Sequence, residues 1–199
     1  LSYFDLPLKQ VAGTQEKGRL LTILGYSQQT LGQSERAIAL HKEALDIANQ
    51  AGDRPCEIAN LNHLSRIAIG QKDYPLAISY SQRALILARQ TGDKLGEANA
   101  LTNVGYSEVL AAHAIDLMDE DIYEQNISYL DRGLKLAETL EDKQSLALCY
   151  HSLGLAYLTI QQYDKAIEYL QLGTKAAQAV GDLYLQGLNL TYLAEAHHS

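Results

Sequence analysis

The feature that most constrains the fold is an internal repeat. The segment "AIALHKEALDIANQAGD", residues 37–53, returns as "AISYSQRALILARQTGD", residues 77–93, with every matched position forty residues further on. A unit of this length is too small to bury a core of its own, so neighbouring units must stack to become stable. The sequence therefore predicts a quasi-one-dimensional array of stacked units.

Gly-Asp pairs mark the ends of the units. They occur at 52–53, 92–93 and 181–182, and Glu141 and Asp142 take the same place without the glycine. A glycine can adopt the left-handed conformation that ends a helix, and an aspartate can accept backbone N–H bonds at the start of the next helix. We expect each pair to end one helix and to begin another.

Each unit is predicted to be a pair of antiparallel helices. Between the junctions apolar residues recur with a helical period, and no segment alternates with the period of a strand, which makes the chain all-α. A small residue returns in the first helix of four units, at Gly25, Ser65, Gly105 and Gly154. Small residues at such a contact let two helix backbones approach closely.

The fourth unit carries a resemblance to a known family. Residues 150–170 read "YHSLGLAYLTIQQYDKAIEYL", in which Leu153, Gly154, Tyr157, Tyr163 and Ala166 stand in register with the tetratricopeptide repeat pattern. The 40-residue period and the Gly-Asp junctions are similar to the longer-unit branch of that family, as in kinesin light chain, Leu-Gly-Asn adaptors and bacterial regulators. Departures from the pattern fall at Ser65, Ala68 and Asn126. The resemblance implies a right-handed α-solenoid of helix pairs whose first helices line a concave groove.

The array is predicted to occupy residues 14–199. Residues 1–13 contain Pro7, which breaks any clean copy of a second helix, so a cap or a degenerate helix is expected there. The predicted units are about 14–53, 54–93, 94–142 and 143–182, followed by the first helix of a fifth unit at 183–199.

The third unit is longer than the others by nine residues, which fall within 109–125. Apolar residues there keep a helical spacing, so the insertion is expected to prolong the first helix by about two turns. One hypothesis is a second contact surface, for a partner or for self-association, formed by Ile115, Leu117 and Met118. The alternative is a lengthened hairpin with no role of its own.

Composition argues against several classes of partner and location. A formal net charge of −8 disfavours nucleic acid and anionic lipid, which both require clustered Lys and Arg. No apolar run approaches the roughly 20 residues that span a bilayer, so we expect no membrane insertion. The two cysteines, Cys56 and Cys149, lie within apolar helical patterns, which favours a reducing compartment and a cytoplasmic location.

The sequence contains none of the common catalytic or nucleotide-binding motifs, such as a phosphate-binding glycine loop or a nucleophile elbow. Its histidines are scattered among the units without the spacing of metal ligands. We therefore predict no enzyme activity, no cofactor and no metal site.

A stripe of polar and aromatic residues on the first helices predicts where a ligand binds. It is offset by two positions from the packing stripe, carries no acidic residue, and matches the columns that contact peptides in the family. A solvated wall without a ligand is the alternative. The predicted groove residues are Arg19, Thr22, Tyr26, Asn62, His63, Arg66, Asn99, Thr102, Asn103, Tyr106 and His151.

The expected function is a non-catalytic protein interaction module that binds a peptide or a helix of a partner in this groove. Arg19 and Arg66 are the only arginines on the stripe, which points to an acidic or carboxylate-bearing partner, a C-terminal carboxylate included. Both arginines could instead pair with nearby glutamates across unit junctions. The alternative function is a regulatory or sensor segment of a larger signalling or enzymatic protein.

Overall fold

The structure is a computed structural model that describes residues 14–117 and 119–198. Within these residues the chain is all-α, as predicted, and no described helix is long and apolar enough to cross a membrane. The helices are α1 (Gln15–Thr30), α2 (Ser34–Ala51), α3 (Arg54–Gly70), α4 (Tyr74–Thr91), α5 (Lys94–Ala114), α6 (Glu120–Leu140), α7 (Lys143–Thr159), α8 (Tyr163–Val180) and α9 (Leu183–His198).

Consecutive helices pack as hairpins, and the hairpins stack into a solenoid. The pairs are α1 with α2, α3 with α4, α5 with α6, and α7 with α8, while α9 packs against α8. Each first helix also contacts the first helix of the next unit, along the series α1, α3, α5, α7 and α9. This arrangement confirms the predicted α-solenoid of helix pairs and places the first helices side by side on one wall.

The unit junctions have the predicted backbone conformation. Gly52, Gly92 and Gly181 take left-handed φ angles of 68°, 73° and 74°, and each ends a second helix. Glu141 takes the same place with a φ of 53°, although it carries a side chain. The aspartate after each of the four accepts a hydrogen bond from the backbone N–H three residues on, so the prediction of paired stop and start signals is confirmed.

The small residues of the first helices lie where two backbones meet. A Cβ atom added at Gly105 would stand 2.6 Å from the backbone oxygen of Asn126. A Cβ at Gly154 would stand 2.6 Å from Leu170 Cγ. In the second unit Ser65 fills this position, and its hydroxyl donates to the Ala77 carbonyl at 2.9 Å. The close approach of helices therefore depends on these positions.

The buried core is divided among the junctions between units. One cluster joins α2, α3, α4 and α5 around Leu61, Leu64 and Leu101, and another joins α5 to α8 around Leu130 and Leu153. Smaller clusters continue the series toward both ends of the described chain. Each unit is stabilised mainly by its neighbours, as expected for a stacked array.

The insertion in the third unit lengthens both helices of that unit. The helices α5 and α6 have 21 residues each, against 17 and 18 in α3 and α4, so each gains about one turn. The prediction of two extra turns in the first helix is wrong, because the chain turns at Asp116, whose φ is 52°. Ile115 and Leu117 lie exposed at this turn, while Met118 and the predicted cap at 1–13 fall outside the described residues.

Candidate binding cavity

The first helices surround a cavity of about 1030 Å³. All five of them, α1, α3, α5, α7 and α9, contribute lining residues, and the second helices contribute only their first residues. Eight of the eleven residues of the predicted groove line this cavity: Thr22, Tyr26, His63, Arg66, Asn99, Asn103, Tyr106 and His151.

The other three predicted groove residues do not line the cavity. Arg19 donates from Nε to Asp53 Oδ2 at 3.0 Å, so it pairs across a unit junction, although with an aspartate and not with a glutamate as the alternative interpretation held. Asn62 is buried, and its amide donates to the Gly96 carbonyl on α5 at 3.3 Å. Thr102 is fully buried and donates to the Ala98 carbonyl. These residues lie at the edge of the stripe, where a side chain meets the neighbouring first helix instead of the open groove.

The asparagines of the groove mainly tie helices together. Asn103 Nδ2 donates to both the backbone oxygen and Oδ1 of Asn62, each at 3.1 Å. Asn99 Nδ2 donates to the Leu95 carbonyl, and its Oδ1 accepts from the Ser145 hydroxyl at 3.3 Å. The amide nitrogen of Asn103 is therefore committed within the fold, and only its oxygen is left for a ligand.

Arg66 is a cation that lines the cavity. Its Nη2 donates to His63 Nδ1 at 2.7 Å, and among the described residues no carboxylate lies within 4.0 Å of its guanidinium. A guanidinium has five N–H donors, so several remain for a ligand. The alternative of pairing with a junction carboxylate is therefore wrong for Arg66.

A stack of rings holds Arg66 in place. The His63 ring stacks on the His41 ring with centroids 4.6 Å apart, and Tyr26 lies against the other side at 5.5 Å. His41 Nδ1 is 2.8 Å from Asn60 Oδ1, and it donates because the amide nitrogen of Asn60 bonds elsewhere. Burial and the charge of Arg66 lower the pKa of His63 well below its ordinary value, and burial lowers that of His41. The histidines are thus neutral at pH 7, and His63 accepts from Arg66.

A polar contact joins the two ends of the wall. The Tyr26 hydroxyl on α1 donates to Asp182 Oδ2 at 3.0 Å, at the start of α9. Gln144 Nε2 donates to the same oxygen at 3.3 Å and to the Tyr26 hydroxyl at 3.4 Å. The helix α1 and the cap of α9 therefore meet across the groove, which encloses the cavity between them.

His151 repeats the histidine–asparagine pairing on the other side of the array. Its Nδ1 is 2.8 Å from Asn189 Oδ1, the distance seen between His41 and Asn60. Burial lowers the pKa of His151, so this ring too is neutral at pH 7. Its ring lies 6.2 Å from that of Tyr192. His151 therefore lines the groove wall, as predicted, with its Nδ1 bonded to Asn189.

Several lining residues were not predicted. The groove continues into the fifth unit through Leu188 and Tyr192, which lie forty residues after Leu148 and Ser152. Extending the polar stripe by one more period would have found them. Asp142 and Asp182 also line the cavity, although the sequence identified them only as helix caps.

Within the described ranges no three His, Cys, Asp or Glu side chains are grouped so that they could hold a metal ion. His41 and His63 are stacked face to face, so their ring nitrogens do not converge on one point. The cavity is instead suited to binding through hydrogen bonds, the cations Arg66 and Lys72, and apolar contact.

Two family models, both of the tetratricopeptide repeat, match residues 16–85 and 147–180, which together are more than half of the chain. The chain therefore belongs to the tetratricopeptide repeat family. The match to its 40-residue branch stays a prediction. No curated protein matches the sequence.

Three solved structures illustrate the similarity of fold. Aspartyl phosphate phosphatase F from Bacillus subtilis matches with a TM-score of 0.62 at 20% identity, over 94% of this chain and 50% of that one. A signal transduction ATPase with numerous domains and a tetratricopeptide repeat sensor, from Pyrococcus horikoshii, matches with a TM-score of 0.57 at 19% identity, over 94% and 28%. BtubC from P. vanneervenii matches with a TM-score of 0.57 at 15% identity, over 92% and 81%. At these identities the likeness shows the fold alone, and the chain spans half or less of the first two proteins.

Proposed function

We propose that this chain is a non-catalytic interaction module that holds a peptide or a helix of a partner protein in its central cavity. Repeats of this family generally serve as protein interaction modules. The observation that carries the proposal is Arg66, a guanidinium that lines the cavity with no carboxylate of the described residues within 4.0 Å.

The ligand group at Arg66 is a carboxylate, either an Asp or Glu side chain or a C-terminal carboxylate. A carboxylate matches the planar donor geometry of a guanidinium, and burial strengthens the attraction. Burial lowers the pKa of Arg66, since the charge is poorly solvated there, and an anion would relieve this cost.

The size of the cavity sets the length of the ligand. A helix about 10 Å across with a volume of 1030 Å³ would be about 13 Å long, which is about nine residues. The cavity therefore suits a short segment of a partner.

A random nonapeptide library displayed with free carboxyl termini tests the proposal. We expect selected peptides, resynthesised with a fluorophore, to bind the wild type and to bind Arg66→Gln about 30-fold more weakly, a loss of about 2 kcal/mol. Arg36→Gln is the matched control, because Arg36 is exposed on α2 and bonds only to Gln33 among the described residues. Failure to select any peptide, or equal binding to Arg66→Gln, would overturn the proposal.

The second candidate is a regulatory segment of a larger protein. The observation that favours it is the short span of this chain, which covers 28% of an ATPase whose tetratricopeptide repeats are named as a sensor. Reading the coding sequence on both sides of this segment tests it. An adjoining catalytic or DNA-binding domain would support the regulator, and further repeats alone would exclude it.

A further inference from the structure

A set of apolar and aromatic lining residues lies on the three first helices that follow α3, the helix of Arg66. Its residues come from α5, α7 and α9 and all line the cavity: Tyr106, Leu110, Leu148, Leu155, Leu188 and Tyr192. We call this set the leucine–tyrosine wall.

The wall follows from the repeat. One column of equivalent positions in the first helices of the five units contains, in order, Arg19, Ala59, Asn99, Leu148 and Leu188. The column is polar or small in the first three units and becomes leucine in the fourth and fifth. Leu148 and Leu188 are only half-buried, so apolar surface there is in contact with water until something covers it. A ligand that brings an apolar side chain would release that water.

Two tyrosines give this wall hydrogen-bonding groups as well. Neither the Tyr106 nor the Tyr192 hydroxyl has a hydrogen-bond partner in the part of the chain that the structure describes. Burial raises the pKa of both phenols, and the nearby Tyr192 hydroxyl adds to the shift at Tyr106, so both stay protonated. A neutral phenol can donate to a peptide carbonyl while its ring packs against an apolar side chain.

Charge fixes which end of the ligand faces the wall. Of the carboxylates that line the cavity, Asp142 caps the start of α7, Asp182 bonds to Tyr26 near Arg66, and Glu195 lies on α9, close enough to add to the rise that burial causes in the pKa of the wall residue Tyr192. Glu195 disfavours an anion beside the wall, whereas Arg66 on α3 favours one. The anion and the apolar group of a ligand are therefore drawn to different helices.

We propose that the cavity selects an amphipathic peptide segment, in which a carboxylate at Arg66 is followed or preceded by one bulky apolar side chain on the leucine–tyrosine wall. This inference rests on the proposed function. Neighbouring packed helices lie about 8–10 Å apart, and the wall begins one helix from Arg66 and reaches its leucines after two. The two ligand groups are therefore about two to six residues apart in an extended chain.

The nonapeptide library tests this pairing as well. We expect the selected peptides to share one carboxylate and one Leu, Ile, Met, Phe or Trp within that separation. Replacing the apolar residue of a selected peptide by Ser should weaken its binding to the wild type at least 10-fold.

Variants of the leucine–tyrosine wall test the same contact from the side of the protein. Leu148→Asn with Leu188→Asn keeps side-chain size and removes apolar surface, and we expect it to weaken peptide binding at least 10-fold. Ile86→Asn, on the exposed face of α4, is the control and should bind as the wild type does. In the double variant, replacing the apolar residue of the peptide by Ser should weaken binding little further. The change in the protein has already removed the contact that the change in the peptide removes.

The outcomes separate this inference from the proposed function. Peptides that need Arg66 but show no apolar preference, or that bind the double variant normally, would overturn the amphipathic pairing and leave the interaction module intact. A library that yields no binder would overturn both. If the double variant does not fold by circular dichroism, the Ser-substituted peptide against the wild type decides the question alone.

Discussion

The hydroxyl of Tyr26 donates to Asp182 across 156 residues of sequence, at 3.0 Å, and so connects the first unit to the aspartate that caps α9. In a stacked array each unit normally contacts only its neighbours. This contact bypasses the second and third units and holds the two ends of the cavity together. The width of the cavity thus depends on one side-chain bond as well as on helix packing.

Tyr26→Phe should loosen this connection. The change removes the bonds of the hydroxyl to Asp182 and Gln144 and leaves the ring in place, so we expect a loss of about 1 kcal/mol in the free energy of unfolding. Urea unfolding measures the loss, and hydrogen exchange should show faster opening in α1 and α9. Tyr80→Phe is the control, because none of the described residues hydrogen-bonds to the Tyr80 hydroxyl. Equal stability of the two variants would show that the Tyr26 contact is not maintained in solution.

Gly154→Leu tests the close approach of α7 and α8. A Cβ at this position would lie 2.6 Å from Leu170 Cγ and 3.1 Å from the Leu170 nitrogen, so the helices must separate. We expect a loss of about 1 to 3 kcal/mol in the free energy of unfolding. Gly187→Leu on α9 is the matched control, because a Cβ there meets nothing within 4 Å. That change should be neutral or slightly stabilising, since glycine is the poorer helix former.

The repeat explains why so much of the fold was predictable. The Gly-Asp junction occurs at three unit ends, and Glu-Asp takes its place at a fourth, so independent copies of one local signal support each other. The insertion in the third unit has no second copy. Its helical spacing predicted a longer first helix but could not locate the turn at Asp116.

The sequence predicted which face of the first helices forms the candidate site, but not which contacts its residues make. The helical period placed Arg19 and Arg66 on one stripe of neighbouring first helices, yet Arg19 pairs with Asp53 and Arg66 lines the cavity. The contact of Tyr26 with Asp182 depends on the curvature of the whole array, which no local spacing encodes.

Stability should fall in mildly acidic solution because three histidines are held neutral. Burial lowers the pKa of His41, His63 and His151 in the fold, below the value of about 6.5 expected for the unfolded chain. The unfolded chain then binds protons more readily, so stability is complete above about pH 6.5 and is lost as pH falls through 6.5 toward the folded values. Each histidine contributes a slope of up to about 1.4 kcal/mol per pH unit.

Urea unfolding between about pH 7.5 and 5.5 measures this slope, in a range where carboxylates of ordinary pKa stay charged. Replacing His151 by Gln should make the curve shallower, whereas His197→Gln, at an exposed position, should not. A curve that is flat over the whole range would show that these rings are solvated.

The thiol of Cys149 should be chemically inert in the folded protein. Cys149 is fully buried, and burial raises the pKa of its thiol to about 12, so the reactive thiolate is almost absent at pH 8. In a Cys56→Ala background, reaction with a disulfide reagent should follow global unfolding, with one thiol released in urea. Rapid reaction without urea would place Cys149 at a mobile surface. The Thr102 hydroxyl lies 3.1 Å from this sulfur and is buried with it, so we expect neither group to be accessible to solvent in the folded protein.

Asn103→Ala should reduce stability more than ligand binding. Asn103 is buried at the cavity wall, and both of its amide hydrogens bond to Asn62, which lies on the preceding first helix. Removing the amide leaves the buried Oδ1 of Asn62 without this donor, which costs about 1–3 kcal/mol in the free energy of unfolding.

Asn99→Ala is the matched control for this prediction. Asn99 lies one turn earlier on α5 and is partly exposed; its amide donates within its own helix to Leu95, and its oxygen accepts one longer bond, of 3.3 Å, from the Ser145 hydroxyl. Its loss should therefore cost less than the loss of Asn103. Peptides selected on the wild type should bind Asn103→Ala nearly as well as they bind Asn99→Ala, provided that both are measured well below their unfolding temperatures. If Asn103→Ala kept full stability but lost the peptides, its amide would have to turn from Asn62 to the ligand. The asparagines would then be the recognition residues that the sequence alone predicted, rather than ties between first helices.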